Sequence, residues 1–161
     1  MDLPSPLPYD IVRVKDLYYT FTNKDGIVYH LYFNPLSELY PQLPNTYSFS
    51  IEPQDSKPHP IDRRIAITVV SVLRKFFENI DNAMIMVCDS TDGKHHKRRN
   101  LFNRWFQYYN DGTITTLNAE VSDADYELLL SLYFKRNNPD KTQLIKSFND
   151  LLTTNLYELV I

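Results

Sequence analysis

The pattern of apolar and polar positions divides the first half of the chain into three strands, a helix and a fourth strand. Residues 16–33 form two β-rich runs around Asn23-Lys24-Asp25-Gly26, a sequence typical of a hairpin turn. TYSFSI at 46–51 predicts a third strand. Residues 61–80 repeat apolar side chains at helical spacing and place Thr68 on the polar face. The run at 83–88 is apolar throughout, which predicts a strand covered on both faces at the centre of the sheet.

The second half of the chain predicts two more helices and two more strands. A helix ends near Tyr109, before the turn sequence Asn110-Asp111-Gly112. Residues 113–121 are rich in β-branched side chains, which indicates a strand. Residues 124–134 alternate like a strand, although a helix capped just before them is the alternative; we predict a strand. A last helix begins near Pro139.

The predicted order β-β-β-α-β-α-β-β-α indicates an α+β fold with a largely antiparallel sheet and helices packed on it. The length of 161 residues suits one domain. Nine of the ten prolines lie in the first 60 residues, so we expect a flexible proline-rich arm at 1–15 and a single domain at 16–161.

Composition limits the compartment and the cofactors. No apolar run reaches the roughly 20 residues that span a bilayer, and the N-terminus lacks the basic and apolar regions of a signal peptide. Cys88 is the only cysteine, which excludes an internal disulfide and a cysteine-based zinc site. We therefore expect a cytoplasmic protein without contact to a membrane, and no cofactor is predicted.

Charge is distributed unevenly along the chain. The formal net charge is only −3, yet residues 61–107 carry +4 between flanks of −3 and −4. A basic middle segment between acidic flanks creates a local positive field that attracts anionic partners. The densest part of it is CDSTDGKHHKRRN at 88–100, between the predicted central strand and the second helix.

This segment fails the common phosphate and phosphoryl motifs. It lacks the glycine spacing of a Walker loop and of a dinucleotide fingerprint. A metal-dependent nuclease is harder to dismiss, because Asp92-Gly93-Lys94 supplies an acid and a lysine at the spacing some nucleases use, with Asp89 as a second acid. Those nucleases carry the pair on a strand, however, whereas here it lies in a loop or a first helical turn.

The histidines and aspartates of the segment also have ordinary structural explanations. His95 and His96 are adjacent, so their side chains point about 100° apart on a helix. We therefore expect both to face solvent and predict no metal site. Asp92, beside Ser90 and Thr91, is a good helix N-cap.

The basic side chains are divided by helical geometry. Arg98 borders the buried face and is expected to form an internal ion pair with Asp89. The residues predicted to bind an anionic partner are Lys94, Lys97, Arg99 and Arg104, with Arg63 and Arg64 of the other helix as an extension. Such a surface suits phosphate backbones and acidic proteins alike, and a merely solvated helix face has comparable weight.

The combination of DRRIA at 62–66, CDSTDGK at 88–94, RRNLFNRWF at 98–106 and KRNNP at 135–139 resembles a family of small bacterial proteins defined only as a domain of unknown function. The resemblance extends from about Asp16 onward and is most specific at 88–106. It implies a stand-alone cytoplasmic bacterial domain and a special role for this segment, and it supplies no activity or substrate.

Two functions therefore compete. The first is a non-enzymatic interaction domain that recognises an acidic protein surface or nucleic acid through residues 89–104. The alternative is a metal-dependent, phosphate-directed hydrolase that uses Asp89, Asp92 and Lys94. A toxin-neutralising partner protein is compatible with the size of the chain but rests on no particular residue.

Overall fold

The computed structural model describes residues 7–122 and 125–153, without the side chains of Asp89, Tyr108 and Tyr109. These residues form seven strands and three helices. In chain order they are β1 Val12–Lys15, β2 Tyr18–Thr22, β3 Val28–Pro35, β4 Thr46–Pro53, α1 Arg63–Phe76, β5 Ala83–Asp89, α2 His95–Tyr109, β6 Ile114–Ser122, β7 Glu127–Lys135 and α3 Lys141–Leu151.

The strands follow the order β1-β2-β3-β4-β5-β7-β6. The pairs β1–β2, β2–β3, β5–β7 and β6–β7 are antiparallel, and β4 runs parallel to β5. This mostly antiparallel sheet with helices packed on it confirms the predicted α+β class. The backbone also divides into two compact units, one of residues 1–34 and 49–76 and the other of residues 35–48 and 77–161. The single domain predicted for 16–161 stays a prediction, and each unit is described separately.

The first unit is built on the predicted hairpin. The side-chain oxygen of Asn23 accepts the N–H groups of Asp25 and Ile27, and Gly26 has a φ of 78°, a conformation that disfavours residues with a Cβ. On β3 the alternate residues are buried, and the ring of Phe33 stacks on Phe76 of α1 with centroids 4.2 Å apart. Helix α1 therefore packs on this part of the sheet through the apolar stripe that its sequence predicts.

Two features of the first unit differ from the sequence prediction. Strand β1 lies within the region expected to be a proline-rich arm, and Tyr9 is buried with its ring stacked on Phe21. Thr68, expected on the polar face of α1, is fully buried. Its hydroxyl donates to the carbonyl of Arg64 and accepts the N–H of Tyr9, so the N-terminal segment supplies the polar partner that makes burial possible. Residues 1–6 of the predicted arm lie outside the described residues.

The second unit holds the apolar core around β5 and β7. Ala83, Met84 and Ile85 are completely buried, and β5 lies between β4 and β7, as its continuous apolar sequence predicts. Strand β7 confirms a strand instead of a helix for residues 127–134 of the predicted range 124–134, and its seven central residues are all buried. Residue 124 lies outside the described residues. The buried apolar side chains of α3, Leu144, Phe148 and Leu151, join the same core.

Helix α2 is anchored to β7 by aromatic side chains. Phe106 stacks on Tyr133 with ring centroids 4.2 Å apart, and Phe102 meets the same ring edge-on. The hydroxyl of Tyr133 donates to the side-chain oxygen of Asn103 at 3.0 Å, and burial raises the pKa of Tyr133. These contacts fix the orientation of α2 and therefore decide which of its polar side chains face solvent.

Candidate functional site

The end of β5 and the start of β7 are tied together by Ser90. Its N–H donates to the carbonyl of Glu127 at 3.1 Å, and its hydroxyl accepts the N–H of Glu127 at 2.9 Å. The antiparallel register explains the meeting, because Asp89 pairs with Leu128 and the next residues on each strand lie side by side. Ser90, expected beside the helix cap, instead holds the backbone of Glu127 where α2 begins.

The two histidines of the first turn of α2 converge on the carboxylate of Glu127. The Nε2 atoms of His95 and His96 lie 3.0 and 2.8 Å from the same oxygen, Oε1. The two rings are 4.4 Å apart between centroids. Among the described residues, these three side chains form a group whose ligand atoms all lie within 4.8 Å of one another, as a bound metal ion would require.

The three side chains differ in exposure. The side chain of His95 is 11% exposed, that of Glu127 32% and that of His96 54%. The prediction that both histidines face solvent is therefore wrong for His95. The argument from their adjacency fails because the long side chains of a first helical turn lean toward the helix N-terminus, where the carboxylate of Glu127 lies. Within the described residues, Nδ1 of His95 is buried and has no hydrogen-bond partner.

Asp92 does not cap α2 but forms an ion pair with Arg98, and the predicted pair of Arg98 with Asp89 stays a prediction. The N-cap residue is Lys94, which makes no side-chain cap hydrogen bond. Asp92 lies two residues earlier, where one carboxylate oxygen accepts the N–H of Lys94 at 2.9 Å and the other accepts Nη1 of Arg98 at 2.6 Å. The bond from Arg98, together with that N–H, lowers the pKa of Asp92 to about 2. The side chain of Asp89 lies outside the described residues.

The predicted basic residues separate into paired and unpaired members. Arg99 donates to Glu120 at 3.0 Å, and its side chain is only 17% exposed. Lys94, Lys97 and Arg104 are exposed and have no ion pair within the described parts of the chain. Residues 93–110 contain no acid that could neutralise them.

Apart from His96, the exposed residues among the described side chains of α2 lie along one side of the helix. We call this face the α2 stripe; it consists of Lys97, Asn100, Arg104 and Gln107, with Lys94 just before the helix. Spacings of three and four residues keep the four helical members on one face. The stripe therefore combines positive charge with amide hydrogen-bond donors and carries no apolar side chain.

Arg63 and Arg64, predicted to extend the basic surface, belong to the first unit. Arg64 donates to the carbonyls of Leu7 and Pro8, and its guanidinium lies 4.0 Å from the centroid of the Tyr9 ring. Arg64 is thus held by the N-terminal segment.

Glu127 is the site residue that the sequence alone did not indicate. It lies 32 residues from His95 in the chain, and a lone glutamate at the start of a strand is unremarkable in composition. The available signal was indirect: pairing of β5 with β7 places the first residue of β7 beside the loop that leads into α2.

Fold and site together define a class of protein. It is an α+β domain in which a basic helix packs on the sheet through aromatic side chains, and a cluster of two histidines and one glutamate lies at the N-terminus of that helix. The chain belongs to the family of unknown function DUF6169, whose profile matches residues 61–150. The match includes every element of the α2 site and starts well after Asp16. No curated protein sequence matches the chain. In the described parts of the chain, no helix has both the length and the hydropathy needed to cross a bilayer.

Proposed function

We propose that this domain binds the phosphate backbone of a nucleic acid through the α2 stripe and Lys94. The observation that carries the proposal is that only some of the basic side chains of this helix form ion pairs. Arg98 and Arg99 contact acids of their own unit, whereas Lys94, Lys97 and Arg104 point to solvent without a described acid. The charges of Lys94 and Lys97 lie at the positive end of the helix dipole, and an anion would relieve the repulsion.

The composition of the stripe favours nucleic acid over an acidic protein. Protein interfaces generally have an apolar centre from which charged residues are depleted. Among the described side chains the α2 stripe has no such centre, because Phe102 and Phe106 pack on Tyr133 of β7. Lysine, arginine and amide side chains are common donors to phosphate oxygens. Three phosphate contacts give modest affinity and no base recognition, so the proposal is binding without sequence specificity.

The hydrolase alternative with Asp89, Asp92 and Lys94 has weaker support. Both carboxylate oxygens of Asp92 accept hydrogen bonds, one of them from Arg98 at 2.6 Å, so a metal ion would have to displace the guanidinium. Lys94 is exposed and serves equally well as a phosphate contact. A non-enzymatic role, a cytoplasmic location and a bacterial source, all expected from the sequence, remain part of the proposal.

Fluorescence anisotropy with a labelled 20-base-pair duplex, measured in low salt with EDTA, tests this function. The variant K97Q/R104Q should bind at least about tenfold more weakly than the unmodified chain, because two phosphate contacts are lost. The variant K141Q/K146Q removes the same charge from exposed positions of α3 in the same unit and should bind normally. Equal loss in both variants, or no binding by the unmodified chain, would refute the proposal. Polyglutamate that competes as well as unlabelled duplex would instead indicate an acidic protein partner.

A further inference from the structure

The cluster of His95, His96 and Glu127 has the chemistry of a metal site that the proposed function does not use. It joins two imidazoles and one carboxylate, each from a position that the backbone fixes. Ser90 holds both the N–H and the carbonyl of Glu127, and both histidines belong to a helix anchored on Tyr133. Ligands held by rigid elements are the basis of a preorganised site. We propose that these three side chains bind a divalent transition-metal ion of the zinc class.

The geometry is close to that of a coordinated ion. Zinc binds imidazole nitrogen and carboxylate oxygen at about 2.0–2.2 Å, which places neighbouring ligand atoms of a tetrahedral site about 3.3 Å apart. The observed distances from Oε1 to the two Nε2 atoms are 3.0 and 2.8 Å. Small side-chain rotations would therefore admit the ion without movement of the backbone. Calcium and magnesium prefer sets made of oxygen, so two imidazoles select a transition metal.

The burial pattern also fits a metal site. The side chain of His95 is largely buried, and its Nδ1 has no hydrogen-bond partner within the described residues, while the side chain of His96 is half-exposed. Three protein ligands with an exposed side leave a coordination position for water or an added anion, as in zinc sites with an open position.

The competing explanation is a hydrogen-bond cluster in which both imidazoles donate to the same carboxylate oxygen. The first unit offers a matched comparison, because Nε2 of His59 lies 2.7 Å from a carboxylate oxygen of Asp55, a pair with only two members. If proximity of a histidine to a carboxylate were sufficient for metal binding, both the His59–Asp55 pair and the cluster on α2 would bind the ion. If a third ligand is required, only the cluster on α2 will do so.

Calorimetric titration of the EDTA-treated, dialysed chain with Zn²⁺ tests the inference, and Co²⁺ serves as the spectroscopic probe. We expect one ion per chain and cobalt d–d absorption of the intensity that four- or five-coordinate sites show. H96Q and E127Q should each weaken Zn²⁺ binding more than about 100-fold, since loss of a ligand exceeds the 10- to 100-fold effect of outer-shell changes. H59Q should leave it unchanged.

The variants are chosen so that folding does not obscure the result. The side chain of His96 is half-exposed, and glutamine is close in shape to Glu127, so far-UV circular dichroism should match that of the unmodified chain. H96N provides a second test should E127Q unfold. Absence of stoichiometric Zn²⁺ binding, or binding that H96Q and H96N leave intact, would overturn the inference. Because the duplex assay is run in EDTA, the outcome is independent of the proposed nucleic-acid function.

Discussion

The salt dependence of duplex binding gives a quantitative test of which residues contact phosphate. The structure leaves three cations of the α2 surface without a described acid: Lys94, Lys97 and Arg104. Three contacts predict a slope of log Kobs against log salt of about −2.7, because each neutralised phosphate contributes about −0.9 in duplex DNA. Between 50 and 200 mM salt, affinity should then fall roughly 40-fold. In K97Q/R104Q one contact remains, so the slope should be about −0.9 and the fall roughly threefold.

Anisotropy titrations at four or five salt concentrations measure both slopes on the same labelled duplex. The K141Q/K146Q variant controls for the change of net charge, and its slope should equal that of the unmodified chain. A slope that stays near −2.7 in K97Q/R104Q would refute the assignment of phosphate contacts to α2, even if the variant bound more weakly overall.

Three further predictions concern the described contacts. Thr68→Val should lower the free energy of unfolding by about 1–3 kcal/mol because the Tyr9 N–H loses its acceptor, and Thr68→Ser should retain most of the stability; urea denaturation measures both. Phe148→Ala should cost about 3–5 kcal/mol, since its ring is fully buried in the core of the second unit, and an unchanged urea midpoint would contradict this packing. The lowered pKa of Asp92 means that the unfolded chain takes up the proton first as pH falls. The stability contributed by this carboxylate should therefore be constant above pH 5 and disappear between pH 3.8 and about 2, a loss that Asp92→Asn should not show in urea titrations across that range.

The sequence predicted most of the fold because local patterns specify most of its elements. Continuous apolar residues identified β5, and Asn23-Lys24-Asp25-Gly26 identified the hairpin between β2 and β3. Strand β1 was missed because all four residues of VRVK are exposed in the structure, and exposed edge strands carry no burial pattern. Thr68 was misplaced for a different reason: its partner, the Tyr9 N–H, lies 59 residues away and cannot be found from helical periodicity.

The sequence predicted which residue types make up the candidate site, but it did not predict which side chains contact one another. The sequence indicated that α2 starts with uncompensated bases, and Lys97 and Arg104 are indeed exposed. The pair of Arg98 with Asp89 stays a prediction, and the structure adds a partner that the sequence analysis did not name for Arg98: its guanidinium, six residues after Asp92, reaches the carboxylate of Asp92 around the first turn. The convergence of two adjacent histidines on Glu127 depends on the register of β5 with β7 and on side-chain direction at a helix start, and neither is encoded within a single element.

The most direct test of the central claim is nuclear magnetic resonance of the ¹⁵N-labelled chain titrated with an unlabelled duplex in low salt. If α2 is the phosphate-binding surface, the largest amide and side-chain shifts should fall on Lys94, the α2 stripe and its neighbours within 94–107, while α3 residues 141–151 stay unchanged. Shifts concentrated on α3 or on the first unit, or no shifts at saturating duplex, would contradict the account.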